Sequence, residues 1–222
     1  MQGDRILVEE HHRKAAVEIV NRLLGAIHKK PGGFAITVAG ESGSGKSETA
    51  QAIVDELARQ NISGITLGQD DYFVHPPKSN DRARRQDINW VGSGEVHLDL
   101  MSQHVHQILA GAKTIDKPLV LYQEDRIESE TLDLQGVRVV VAEGTYTTLL
   151  DGIDAHVFID RTFAQTKAHR QKRMRDASEL DPFIDRVLEI EHRIISANRA
   201  KAHILIDSDY RVEDGPVLLG ES

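Results

Sequence analysis

Gly40 to Ser47 (GESGSGKS) carry the clearest chemistry in this chain of 222 residues. They fit G-x-x-x-x-G-K-[ST], a pattern that cradles phosphate groups. Gly40, Gly43 and Gly45 let the backbone take angles that other residues resist, so the N–H groups of residues 41 to 47 can face one anion. Lys46 supplies a point charge for β and γ phosphates, and Ser47 supplies a hydroxyl for Mg²⁺. Glu41, Ser42 and Ser44 complete the loop, and Glu48 stands immediately after it. By composition alone the four fixed positions would coincide in roughly 1 in 100 chains of this length. The flanking elements therefore matter, and they agree: an apolar run at 34–39 precedes the loop and a helical pattern at 47–60 succeeds it. The positive end of that helix would face the same anion.

Other groups could complete a phosphoryl-transfer site. Asp70 and Asp71 stand just past a second short strand, at 62–68, on the edge where an α/β sheet binds ligands. Either could accept a hydroxyl proton or hold Mg²⁺, and a capping aspartate is the plainer alternative. Glu143 ends the apolar strand 137–142, as in a Walker B arrangement that orders the water around Mg²⁺. Thr162 to Ala177 reads as a basic helix opened by a Thr162–Gln165 capping box. Arg170 and Arg173 share a face of it and Arg175 lies beside them, which suits a lid that brings cations over transferring phosphates. A charged solvated face is the competing reading.

These residues need a scaffold. A long amphipathic helix is expected over 4–30, with Val17, Val20, Leu24 and Ile27 on one face and His11 and His12 in solvent. Strands are expected near 34, 62, 137, 154 and 203, alternating with helices, and the runs near 117 and 131 suit a small hairpin over the substrate. Residues 74–94 read as a polar insertion covering the acceptor. Its Arg82, Arg84 and Arg85 suit either an anion-contacting face or a solvated surface. Asp181-Pro182 caps another helix, and the tail after Asp209 reads as peripheral. The whole is one α/β domain: a three-layer sandwich with a mostly parallel five-stranded sheet, helices on both faces and a helical lid.

Composition narrows the function classes. The formal charge of −8 argues against broad nucleic-acid binding, and the absence of cysteine excludes disulfides and thiolate metal sites. No apolar run approaches the ~20 residues of a membrane helix. The charged N-terminal stretch has no secretory apolar region, and a cytoplasmic location fits. A homo-oligomer is compatible with this composition.

From Phe34 to Ile206 the motifs together resemble the uridine kinase and phosphoribulokinase family of P-loop kinases. Gln69-Asp70-Asp71-Tyr72-Phe73 resembles its Q-D-S-F-Y segment, Asn89-Trp90 its N-[FW]-D-H-P start, and Ala142-Glu143-Gly144 its V-E-G turn. Arg173-Met174-Arg175-Asp176 resembles its lid signature, and Arg199 to Ile206 its segment near the adenine. The resemblance implies ATP and Mg²⁺ as cofactors, Asp70 as catalytic base, and Arg199 near the nucleotide. It places Tyr72, Tyr122 and Arg126 toward a small-molecule hydroxyl substrate. Two segments depart from the family: Val91-Gly92-Ser93-Gly94-Glu95 replaces D-H-P-D, and Tyr122 to Arg126 lacks the family's histidine. The donor side is retained and the acceptor side is changed. A kinase for a different alcohol or sugar phosphate stays open beside uridine. So does a nucleotide-binding switch, although no N-K-x-D motif occurs to read guanine.

Overall fold

The computed structural model describes Met1, residues 6–166 and residues 181–219. Its elements in chain order are α1 (Glu10–Lys29), β1 (Phe34–Gly40), α2 (Lys46–Arg59), β2 (Gly64–Gly68), α3 (Pro77–Gln86), α4 (Leu98–Leu109), β3 (Thr114–Leu121), β4 (Arg126–Asp133), β5 (Val139–Gly144), β6 (Ala155–Ile159), α5 (Pro182–Asn198), β7 (Ile204–Ile206) and β8 (Val212–Asp214). The main sheet runs β2-β5-β1-β6-β7-β8, and β3 and β4 form a separate antiparallel hairpin. All pairings in the main sheet are parallel except that of β7 with β8.

β1 is the centre, with all seven residues buried. Its side chains alternate between two cores, as a strand covered on both faces must. Phe34, Ile36 and Val38 join α1 and α2 on one side, where Ile19, Leu23, Ile53 and Leu57 are buried. Ala35 and Ala39 join α4 on the other, with Met101, Val105 and Ile108. The architecture is therefore α/β in three layers, as expected, with six strands instead of five.

The extra strand comes from the segment read as peripheral. β8 pairs with β7, and Tyr210 before it is buried. Tyr210 donates its hydroxyl hydrogen to the Ser44 carbonyl at 2.8 Å. Three residues paired antiparallel leave too short a pattern for sequence periodicity to detect.

Other differences are local. α1 starts at Glu10 because a capping box forms there: the Glu9 N–H donates to His12 Nδ1 at 3.0 Å, and the Glu9 side chain accepts from the backbone of His12. His12 is consequently buried and packs edge-on against Tyr210, whereas Val17 is 38% exposed. Residues 74–94 contain α3, which starts at Pro77 where proline costs no hydrogen bond. Its stripe is polar, so nothing in the sequence distinguished it from a loop. At α5 the expected cap is present: Asp181 accepts from the Phe183 N–H at 2.9 Å.

A buried histidine pair makes stability depend on pH. His156 lies in β6, with its Nδ1 2.7 Å from Thr37 Oγ1, and its backbone N–H donates to His203 Nδ1 at 3.0 Å. Burial, then the charges of His203 and Lys201, pull His156 down to about 4. His203 is lowered by burial as well. In the unfolded chain both would take up protons near the ordinary value of ~6.5. The unfolded state thus binds more protons in the window between 6.5 and about 4, and stability falls as pH falls through it. Denaturant midpoints measured from pH 7 to pH 4 should decline, and His156→Gln should flatten part of that decline.

Candidate active site

Strand register gathers the chemistry at one sheet edge. In β5, Glu143 aligns with Val38 of β1 on one side and with Gly68 of β2 on the other. It therefore stands between the glycine loop, which follows β1, and the turn Gln69–Asp71, which follows β2. Gly144 then passes close to Gln69: a Cβ on Gly144 would lie 2.3 Å from the Gln69 Cβ. The Gln69 side chain accepts from the Tyr146 N–H at 2.7 Å and fixes that approach.

A cavity of about 490 Å³ opens here, lined among others by Ser42, Gly43, Lys46, Ser47, Asp70 and Glu143. Lys46 starts α2 and donates from Nζ to the Glu41 carbonyl at 3.0 Å. Ser47 Oγ donates to Glu143 Oε1 at 3.1 Å. Burial, then the charge of Asp70, pushes the Glu143 carboxyl above its ordinary range against the pull of Lys46 and Ser47. Two neighbouring carboxylates and a serine hydroxyl are hard oxygen donors, and a divalent cation would relieve their repulsion. This donor set fits Mg²⁺ better than a softer metal.

The rear of the loop is firmly held. Gly45 has φ +97°, and a Cβ there would lie 2.0 Å from the Tyr210 hydroxyl. The side chain of Glu41 turns away from the cavity: Oε1 lies 2.6 Å from His192 Nδ1 of α5, and Oε2 accepts from the Phe163 N–H at 2.6 Å. Thr166 Oγ1 donates to the Ser42 carbonyl at 2.9 Å. The Gln165 side chain accepts from the Thr162 N–H at 2.9 Å, which is half of the expected capping box. Ser44 and Glu48 are buried. The residues expected to form the lid, Arg170, Arg173 and Arg175, lie outside the described residues.

The two aspartates separate cleanly. Asp70 lines the cavity. Asp71 is buried, accepting from Lys117 Nζ at 2.8 Å and from the Val120 N–H at 3.0 Å, and so ties the turn to the hairpin. Tyr72 does not reach the cavity. It is 0% exposed, and its hydroxyl lies 2.8 Å from His104 Nδ1 in the core beneath α4. Burial, then the charge of Asp71, raises it beyond the usual phenol range. Arg126 does not line the cavity either: it is exposed on β4 and pairs with Glu128 at 2.5 Å. Tyr122 does line the cavity. Arg199 follows α5 and pairs with Asp160, just past β6, at 2.7 Å.

Opposite the loop the wall is α3 with its carboxylate partners. Arg84 donates to Glu95 at 2.5 and 2.6 Å and to Glu191 of α5 at 3.0 Å. Burial pulls the Arg84 guanidinium down, but the Glu95 hydrogen bond and the charges of Glu191 and Glu95 outweigh it. Removing one partner of such a buried group costs about 3–5 kcal/mol. Arg82 pairs with Asp125 at 3.3 Å, and Arg85 with Asp81 and Asp181 at 2.7 and 2.8 Å. Each of these arginines is paired with a carboxylate, but only Arg84 is largely buried, whereas Arg82 remains 64% exposed. Sequence reasoning missed Glu95, Glu191 and Tyr210 because their partners lie 11, 107 and 166 residues away.

Comparison with known proteins bears on the family and the fold. A uridine kinase from Ureaplasma urealyticum is 33% identical over 129 residues, covering 56% of this chain and 61% of its own length. A bifunctional alpha-galactosidase/sucrose kinase from Mediterraneibacter gnavus is 27% identical over 186 residues, covering 78% of this chain. This chain spans about a fifth of that protein, 20%, and under two thirds of the uridine kinase. A D-glycerate 3-kinase from Cryptococcus neoformans shares the fold, with a TM-score of 0.61 at 10% identity, covering 93% of this chain and 99% of its own. No helix among the described residues is long and apolar enough to cross a membrane. The model for the Phosphoribulokinase / Uridine kinase family matches residues 35–190, and the chain belongs to that family.

Proposed function

We propose that the protein is an ATP- and Mg²⁺-dependent kinase that transfers the γ-phosphoryl group to a hydroxyl of a small molecule. The observation that carries this reading is the convergence of Lys46, Ser47, Glu143 and Asp70 on one cavity. The backbone N–H groups of residues 41 to 47 and Lys46 would hold the β and γ phosphates. Ser47 would ligate Mg²⁺, with Glu143 in its outer shell and Asp70 nearby. The bound cation would neutralise charge between the phosphates. Asp70 would orient the acceptor hydroxyl and take its proton, and Arg170, Arg173 and Arg175 would supply cations to the transferring group. Arg199 would serve the adenine side and Tyr122 the acceptor side.

Such catalysis is mostly positioning and electrostatics, because phosphoryl transfer asks little covalent chemistry of the protein. The rigid rear of the loop supports that demand. The kinase names of the relatives support the same reading and differ in acceptor: uridine, sucrose and glycerate.

The test is ADP release from Mg·ATP with and without uridine, cytidine, pantothenate, glycerate, free sugars and sugar phosphates. Acceptor-dependent release is expected. Steady ADP release that no acceptor alters would favour a nucleotide-hydrolysing switch instead.

A further inference from the structure

We infer that Tyr210 is a positioning residue for the donor phosphates, and that it acts through the peptide bond between Ser44 and Gly45. This rests on the nucleotide-binding half of the kinase reading and adds to it a residue that does not line the cavity.

A trans peptide is planar, and its C=O and N–H point in opposite directions. A group that holds the carbonyl from one side therefore aims the following N–H toward the other. The Tyr210 hydroxyl donates to the Ser44 carbonyl at 2.8 Å, which turns the Gly45 N–H away from Tyr210. Thr166 Oγ1 donates to the Ser42 carbonyl at 2.9 Å and acts on the Gly43 N–H in the same way. Gly43 and Lys46, on either side of the Ser44–Gly45 peptide, both line the cavity. Gly43 and Gly45 have φ of +74° and +97°, angles that let neighbouring loop N–H groups converge on one anion. The carbonyls are held from outside the loop, so the N–H groups are aimed before any phosphate arrives.

Tyr210 is itself held firmly, and under backbone strain. Its φ is +65°, a region that residues other than glycine seldom occupy. The turn between β7 and β8 imposes that angle. The Tyr210 N–H donates to the Asp207 carbonyl at 3.1 Å, and the Asp207 N–H donates to the Arg211 carbonyl at 2.9 Å. The Asp207 carboxylate accepts from the N–H groups of Asp209 and Arg211, both at 2.8 Å. Around the ring, His11 and His12 pack edge-on, and the Arg161 guanidinium lies 5.5 Å from its centre. The hydroxyl also lies 3.3 Å from Thr49 Oγ1 of α2. A strained backbone angle that directs one hydroxyl at one loop carbonyl fits a strut for the phosphate cradle better than simple core filling. Tyr210→Phe keeps the ring and removes only that bond. Ser44 is 0% exposed, so its carbonyl would lose its donor where water does not readily replace it, and the peptide would be free to turn.

The experiment is titration calorimetry on the full chain with Mg·ADP and, separately, with Mg·tripolyphosphate, beside thermal melting. In Tyr210→Phe the affinity for both ligands should fall by the same factor, about 3- to 10-fold, the worth of one net hydrogen bond. A shared factor locates the effect at the phosphates and not at the base. Arg22→Ala is the structural control, because it cuts different bonds to the same tail: Arg22 pairs with Asp214 and donates to the Val212 carbonyl at 3.1 Å. It should lower the melting temperature and leave Mg·ADP affinity as in the wild type, since a chain that stays folded binds as before whatever its reserve of stability. Wild-type affinity in Tyr210→Phe, a loss confined to Mg·ADP, or an equal loss in Arg22→Ala each overturns the inference. A wild-type protein that binds neither ligand overturns the nucleotide reading, and the inference falls with it. Binding without turnover on any acceptor removes only the transfer step of the kinase reading, and the calorimetry still decides the role of Tyr210.

Discussion

Lys46→Ala is expected to lower turnover by ~10³-fold or more and to weaken Mg·ATP binding with it. Lys46 is the ammonium at the start of α2, and its Nζ already rests on the loop it would serve, 3.0 Å from the Glu41 carbonyl. It faces a cavity whose lining also includes the carboxylates of Asp70 and Glu143. Without its charge, the polyphosphate would meet those carboxylates with only backbone N–H groups and the cation to offset them. The side chain is only partly buried, so the variant should fold normally and circular dichroism should be unchanged. Titration calorimetry with Mg·ADP beside initial rates separates binding from chemistry. Unchanged affinity and turnover would mean that the loop does not hold the phosphates.

Asp70→Asn should behave differently, sparing nucleotide binding while costing turnover ~10²-fold or more. The amide keeps the shape and most hydrogen bonds of the carboxylate but cannot accept a proton. The informative comparison is Asp71→Asn, one residue away. Asp71 is committed to Lys117 and the Val120 N–H inside the protein. Its loss should appear first as a lower melting temperature. Wild-type turnover in Asp70→Asn would remove Asp70 as the base, and a larger rate loss in Asp71→Asn than in Asp70→Asn would reverse the assignment.

Features legible in the sequence were local or strongly periodic. The glycine loop, the long buried strands and the cap at Asp181 are each written within a few consecutive residues. They led to the sheet, the loop, and Asp70 and Glu143 at its edge. Features that escaped depend on partners far apart in sequence. Tyr72 stands next to two acidic site candidates, and only the packing beneath α4 turns it inward toward His104. Arg84 read equally as an anion-contacting or a solvated group because α3 carries no apolar stripe, and its ties to Glu95 and Glu191 are long-range. β8 is three residues long and pairs antiparallel at the sheet edge. No propensity scale finds such a strand without the neighbour it binds.

The strand order has a consequence for synthesis. β1 has its sheet neighbours in β5 and β6, and its pairing with β5 joins Phe34 to Val139. About 100 residues must therefore be translated after β1 before its first neighbour exists, roughly 5–20 s at ordinary elongation speeds of ~5–20 residues per second. During that delay the seven residues of β1, all buried in the finished protein, have α1, α2 and then α4 to shelter them, but neither strand neighbour. The central strand, buried along its whole length in the finished protein, is for those seconds an unpaired strand that a chaperone would shelter.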